Sequence, residues 1–207
     1  MLVLIEGLDL SGKSTVAKQL RIELENVGLS VQSGYGALHK NRLHTYVHDD
    51  LCHQETGGIW YIFMTNFLLT LLPLVDRVLF ISPSWHTIVI HESYACRTIA
   101  FNKAHRIPFF HRLLTIMYPI FVSFNLTIYI TASAEARKKR LVARAARNSD
   151  DLISITNPDL LLEMDGYLRN ALKTCKNVLT IDNSELTIED TVSIAKHAVI
   201  EHYNSRQ

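Results

Sequence analysis

Gly7-Leu8-Asp9-Leu10-Ser11-Gly12-Lys13-Ser14 is a complete G-x-x-x-x-G-K-[ST] phosphate-binding loop. It follows Leu2-Val3-Leu4-Ile5, an all-apolar run that reads as a buried parallel strand. It opens into Thr15-Val16-Ala17-Lys18-Gln19-Leu20-Arg21, which reads as helix. The motif carries its meaning only in that strand–loop–helix context. There, backbone N–H groups point at the β- and γ-phosphates of a nucleoside triphosphate, Lys13 adds positive charge, and the Ser14 hydroxyl is placed to hold Mg²⁺. The following helix turns its positive dipole end to the same anions. Gly7, Leu8, Asp9, Leu10, Ser11, Gly12, Lys13, Ser14 and Thr15 are therefore the expected nucleotide-binding set.

Composition narrows the classes around this loop. The 207 residues are 48% hydrophobic, enough for one domain with a full core, so residues 1–207 read as a single unit. A net charge of +1 gives no reason to expect nucleic acid or an anionic membrane as partner. Cys52, Cys96 and Cys175 are odd in number and far apart, with neither a metal spacing nor a disulfide framework, so a reducing, cytoplasmic setting is expected. A cleaved leader is not expected, because its removal would take the loop with it. The apolar stretches Ile59–Leu72 and Phe109–Ile130 are interrupted by Asn66 and Pro73, and by His111, Arg112, Pro119 and Asn125. A membrane span wants about twenty clean apolar residues, so both read as buried helices. For the Ile59 helix the rival reading is an apolar face that meets a second copy in a homodimer.

Strand and helix patterns alternate along the chain. Strands are expected at Leu2–Ile5, Ser30–Ser33, Thr87–His91 (ending in Glu92), Leu126–Ile130 and Val178–Ile181. Helices are expected at Lys13–Asn26, closed by Gly28; from about Gly58, broken or kinked around Pro73; at Tyr94–His105 and Phe109–Phe121; at Ala134–Ala146, capped by Ser133; from Pro158; and at Ile188–Tyr203. This is an α/β pattern: a five-stranded parallel sheet flanked by helices on both faces.

Two further constellations belong with the loop. Glu92 ends a buried strand at the sheet edge where such folds bind ligands, the place for an acid that holds Mg²⁺ or takes a proton from an attacking hydroxyl. Arg137, Arg140, Arg144 and Arg147 fall three or four residues apart and share a helical face. They lead into a polar segment, so residues 140–157 read as a lid that brings arginines over a transferring phosphoryl group. One such arginine is worth roughly 10³–10⁵ in rate. The histidines His39, His44, His48 and His53 contain one i, i+4 pair but no third ligand in firm register, so pocket walls are the better reading for Tyr35, His39 and Trp60.

At this point the chain resembles the thymidylate kinases, within the wider nucleoside and nucleotide kinase group. L-V-L-I-E-G-L-D-L-S-G-K-S-T is similar to their strand, E-G-x-D and G-K-S/T-T; T-I-V-I-H-E-S-Y-A-C-R-T-I-A-F to their V-I-x-D-R-Y segment; L-T-I-Y-I-T-A-S-A-E-A-R-K-K-R-L-V-A-R to the strand and helix before their lid; and T-I-D-N to their last strand. The resemblance implies a P-loop kinase fold that uses ATP and Mg²⁺ on a small-molecule acceptor. It implies that Asp9 contacts the acceptor's sugar hydroxyl, that Glu92 keeps the Mg²⁺ role of the family's aspartate, and that Arg140 and Arg144 are lid-helix arginines. Leu10 stands where one class of these kinases has a catalytic arginine, which shifts that duty to Arg144 and Arg147.

The departures lie on the acceptor side. The arginine of D-R-Y is Ser93, the R-E-P-G-G segment is replaced by S-G-Y-G-A-L-H-K, and Phe67 falls where a helical A-D-R places its arginine. Arg97 and Arg77 are the residues that could compensate. The acceptor-site candidates are accordingly Asp9, Tyr35, Phe67, Tyr94 and Arg97; the catalytic ones are Lys13, Glu92, Arg140, Arg144 and Arg147; and Ser14 with Glu92 would hold the metal. The expected activity is transfer of the ATP γ-phosphate to a nucleoside, nucleotide or related hydroxyl compound. Thymidylate phosphorylation proper and nucleotide binding without turnover remain the alternatives. A guanine-nucleotide switch fits poorly, since the only N-K, at Asn102-Lys103, lacks the aspartate of N-K-x-D.

Overall fold

The computed structural model describes residues 1–38, 59–81, 84, 86–143 and 157–206. Most of the lid segment, with Arg144 and Arg147, lies outside the described residues, as do His39, His44, His48, His53 and Cys52. Five strands, β1 (Leu2–Glu6), β2 (Ser30–Tyr35), β3 (Thr87–Glu92), β4 (Leu126–Thr131) and β5 (Val178–Asp182), form one parallel sheet in the order β2-β3-β1-β4-β5. The described helices are α1 (Lys13–Asn26), α2 (Ile59–Leu79), α3 (Ala95–Ala104), α4 (Pro108–Met117), α5 (Ala134–Ala143), α6 (Pro158–Leu172) and α7 (Ile188–Asn204), with a short 3₁₀ turn at Tyr118–Ile120.

Burial along the strands explains their order. β1, β3 and β4 are buried at nearly every position, and edge strands β2 and β5 are mostly exposed or half-buried. Alternate side chains serve opposite faces. Val3, Ile5, Ile88 and Ile90 pack with Val16 and Leu20 of α1 and Val192 and Val199 of α7. Leu2, Leu4 and Val89 pack with Ile99 of α3 and Leu114 of α4. A third cluster joins Ala100 and Ala104 of α3 to Met164 and Leu168 of α6. Because β1 is central, the loop that follows it opens at the carboxyl edge of the sheet, where connections diverge to either side.

Helix ends follow local chemistry. Asn157 and Thr187 accept hydrogen bonds from the Leu160 and Asp190 amides and cap α6 and α7, and Ser133 accepts one from Ala136 at the start of α5. α1 ends in a Schellman arrangement: the Gly28 amide bonds to Glu25 O and the Leu29 amide to Leu24 O. Of the break or kink expected around Pro73, a break does not occur: α2 runs through the proline to Leu79. Proline removes one helical hydrogen bond, but Leu72 is buried against Ala37, and Asp76 accepts from the Leu38 amide at 2.9 Å, which ties the last turns to the body. Among the described residues no helix is long and apolar enough to cross a membrane.

Gly28 has φ of 83° and nothing within 4 Å of where a Cβ would sit. Gly28→Ala should therefore cost only the left-handed backbone, about 1 kcal/mol in urea unfolding; a neutral substitution would contradict this assignment of the α1 terminus.

Candidate functional site

The phosphate loop is held by shape and by donors behind it. A Cβ at Gly7 would collide with the carbonyl oxygen of Ile130 and come within 2.6 Å of Ser11 Oγ. Gly12 has φ of 94°, and a Cβ there would lie 2.7 Å from Asn183 Nδ2. Both positions exclude any side chain. Arg140 Nη1 donates to Leu10 O at 3.0 Å and Ser11 O at 2.9 Å, and its Nη2 donates to Asn183 O. Asn183 Nδ2 donates to Ser11 O at 2.9 Å, and Thr191 Oγ1 orients the same amide through Oδ1. α1 has no side-chain N-cap and no acid in its first turn, so its free amides face no competing carboxylate of their own. Lys13 is buried while Ser14 and Thr15 are exposed.

Four charged groups meet at this loop. Arg97 Nη2 donates to both Asp9 oxygens, at 2.7 and 2.6 Å, and its Nη1 donates to Gly7 O at 3.1 Å. Lys13 Nζ donates to Asp9 Oδ1 at 3.3 Å. Burial alone would raise the Asp9 pKa, but the Arg97 and then Lys13 charges outweigh it and hold the carboxyl at about 2. Burial and the Arg97 charge lower the Lys13 pKa, opposed by Asp9 and Glu6.

Glu6, the last residue of β1, is wholly buried directly before the loop. One carboxylate oxygen accepts the Tyr94 amide at 2.7 Å, and Oε2 has no hydrogen-bond partner among the described residues. Burial pushes its pKa up to about 7, against the pull of the Tyr94 N–H and of Arg97 and Lys13. The E-G-x-D spacing places Glu6 beside the loop, at the end of an otherwise apolar strand that does not by itself mark a site residue.

The expected residues divide between those that gather here and those that do not. Glu92 ends β3, half-buried, in register with Ile5 of β1 and Tyr35 of β2. Tyr35 ends β2 beside Glu92 and is exposed. Arg140 grips the loop from behind, as described. Tyr94 lies elsewhere: its ring is buried on Phe124 and His91, and only its backbone N–H reaches the site, through Glu6. The described contacts of Tyr94 are thus with the core and, through its amide, with Glu6. Phe67 is exposed on α2 and stacks on Phe63, which also meets Phe110 of α4. This is the face that the sequence offers either to an acceptor or to a second copy.

Arg137 is more deeply buried than Arg140, and its Nε has no hydrogen-bond partner among the described residues. Burial lowers its pKa, opposed by Asp165, Tyr129 and Asp9. Beside it, Arg169 Nε donates to Asp165 Oδ2 at 2.6 Å, the Tyr129 hydroxyl donates to Asp165 Oδ1, and the Arg169 guanidinium lies over the Tyr129 ring. Arg169 and Asp165 are an i,i+4 pair on α6, but their contacts to Tyr129, like that of Asn183 to Ser11, join residues far apart in sequence, and no local pattern marks them. Among the described residues no group of three or more His, Cys, Asp or Glu side chains gathers as a metal site. A Mg²⁺ ion carried on substrate phosphates needs only one or two protein ligands.

Comparison with solved structures places this architecture. A thymidylate kinase from Candida albicans, described as revealing the origin of broad substrate specificity and a novel structural element, matches 98% of this chain and 92% of its own at a TM-score of 0.72. The chain has the fold of a thymidylate kinase. Sequence identity is 14%, so the likeness is one of fold. No family model matches the chain, and no curated protein matches its sequence.

The Glu6 carboxyl supplies a pH test. Its pKa in the folded chain lies above the ordinary 4.5, so the stability it contributes is present below about pH 4.5 and lost as pH rises through 7. Glu6→Gln should remove this decline, changing the stability difference between the two proteins by up to roughly 3 kcal/mol between pH 4.5 and 8. Parallel stability–pH curves would contradict it.

Proposed function

We propose that this chain transfers the γ-phosphoryl group of ATP, with Mg²⁺, to a hydroxyl of a nucleoside-class small molecule. The observation that carries the reading is the Asp9 carboxylate, fixed at the phosphate loop between Arg97 and Lys13 and kept ionised as an acceptor for a sugar hydroxyl. Gly7 and Gly12 leave the loop backbone bare, and the buried Lys13 charge and the α1 amides favour the triphosphate. Ser14 and Glu92 would hold the metal, which neutralises charge developing between the β- and γ-oxygens when bound. Glu92 would orient the attacking hydroxyl from the carboxyl edge of β3. Arg140 keeps the loop rigid. Arg137, with its unpaired Nε, is a buried donor that a phosphate oxygen would satisfy. Arg144 and Arg147 complete the charge from the lid. Catalysis in such a site is positioning and electrostatics, with little covalent work for the protein.

Arg97 decides between acceptors. Its guanidinium is already engaged by both Asp9 oxygens and by Gly7 O, so it is a clamp on the loop and not a free receptor for an acceptor phosphate. Ser93, which stands at the family's arginine position, is buried, and Phe67 carries no charge. Arg77 is exposed on the last turn of α2. An acceptor without a phosphate fits this balance better than thymidylate.

The test is ADP release from ATP·Mg²⁺ over a panel of nucleosides, nucleoside monophosphates and unrelated alcohols, with Lys13→Ala as blank. Turnover of an unphosphorylated nucleoside, lost by about 10²-fold or more in Lys13→Ala, is the expected result. Turnover restricted to monophosphates would mean that Arg97 releases Asp9 to hold the acceptor phosphate, and would overturn the substrate assignment.

A further inference from the structure

Cys96 and Cys175 stand 79 residues apart in sequence, and the fold brings their sulfurs to 3.9 Å. No spacing in the sequence marks this pair, because the approach is made by the packing of α3 on α6. Cys96 is the second residue of α3 and is fully buried; Cys175 lies three residues beyond α6 and is half-buried. The Tyr118 hydroxyl, at the start of the 3₁₀ turn, lies 2.8 Å from Cys96 Sγ and 3.0 Å from Cys175 Sγ. A phenol that meets both sulfurs can donate to only one of them, and the thiol beside it can donate to the other.

We propose that Cys175 and Cys96 form an oxidant-responsive thiol pair, in which Cys175 reacts with a peroxide-class oxidant and Cys96 resolves the product to a disulfide. The asymmetry of the pair sets the order of events. Cys175 is the more accessible sulfur, and hydrogen bonds from Cys96 and Tyr118 favour its thiolate over the opposing effect of burial. Cys96 is held as the thiol, first by its hydrogen bond to Cys175 and then by burial. The thiolate is the reactive form of cysteine. Its sulfur attacks one peroxide oxygen, the O–O bond breaks, and hydroxide leaves; Cys175 becomes a sulfenic acid, oxidised by two electrons. Cys96 sulfur then attacks Cys175 sulfur, the S–O bond breaks, and the departing hydroxyl takes the Cys96 proton as water. Bond formation requires the sulfurs to close from 3.9 Å to about 2.05 Å. The product ties the start of α3 to the turn after α6, one residue before the arginine that clamps Asp9. A merely structural reading of two thiols filling a core cluster predicts no such reactivity.

The experiment is a time course of hydrogen peroxide on the reduced full-length chain, quenched by alkylation and mapped by tandem mass spectrometry, with Cys52 as internal reference. The expected result is a Cys96–Cys175 disulfide, about 2 Da lighter and reversed by dithiothreitol, forming at least about tenfold faster than Cys52 is oxidised. Cys96→Ser should leave a sulfenic acid on Cys175 that dimedone traps, and Cys175→Ser should leave Cys96 reduced. Recovery of both thiols unmodified while Cys52 is oxidised, or linkage of either to Cys52 instead, would overturn the proposal. The wild-type time course decides the matter even if a variant fails to fold.

Discussion

A loop that offers its amides to a phosphate must satisfy its carbonyls from the protein side, and this requirement organises the site. Gly7 O is held by Arg97, Leu10 O by Arg140, and Ser11 O by Arg140 and Asn183. Leu8 O accepts from the Ser11 amide within the loop. The donors come from α3, α5 and the segment after β5, so elements 90 to 172 residues away in sequence fix eight residues at the start of the chain. Hydrogen bonds from charged donors are the strong ones, worth roughly 1.5–3 kcal/mol each. The loop is therefore shaped before any ligand arrives, and the cost of ordering it is met during folding.

The same donors set the charge of the site. Arg97 closes on Asp9 and Gly7 O together, so holding the loop and holding Asp9 ionised are one act. Glu6 sits beneath, wholly buried, with one oxygen committed to the Tyr94 amide. A buried carboxyl between two cations is stable as either form only because those cations offset its desolvation. Its nearness to neutrality follows from that opposition, and it couples β1, α3 and the phosphate loop electrostatically.

Much of this was legible in the sequence because it is local. β1, β3, β4 and β5 are short runs rich in apolar residues, and α1 is bracketed by the loop and Gly28; Ser133 and Pro158 mark two further helix starts. The phosphate loop is legible for the same reason: its residues are contiguous. Four features were not legible, each for a physical reason. α2 continues past Pro73 because burial of Leu72 and the Asp76–Leu38 bond outweigh a lost helical hydrogen bond. Tyr94 turns into the core because Phe124 and His91 are waiting there, which no pattern within its own segment shows. Arg97 looked like a free cation until the fold set it against Asp9. Cys96 and Cys175 meet only through the packing of α3 on α6.

The claim on which the rest stands is that residues 7–15 receive a nucleoside triphosphate. Calorimetric titration of the full chain with ATP in the presence of Mg²⁺ tests it most directly, without presupposing an acceptor. One site per chain with a dissociation constant below about 1 mM is the predicted result, weakened about tenfold or more in Arg140→Met through loss of the carbonyl clamp. No heat of binding in a folded protein, or identical binding in both proteins, would contradict the account of how this loop is built and what it holds.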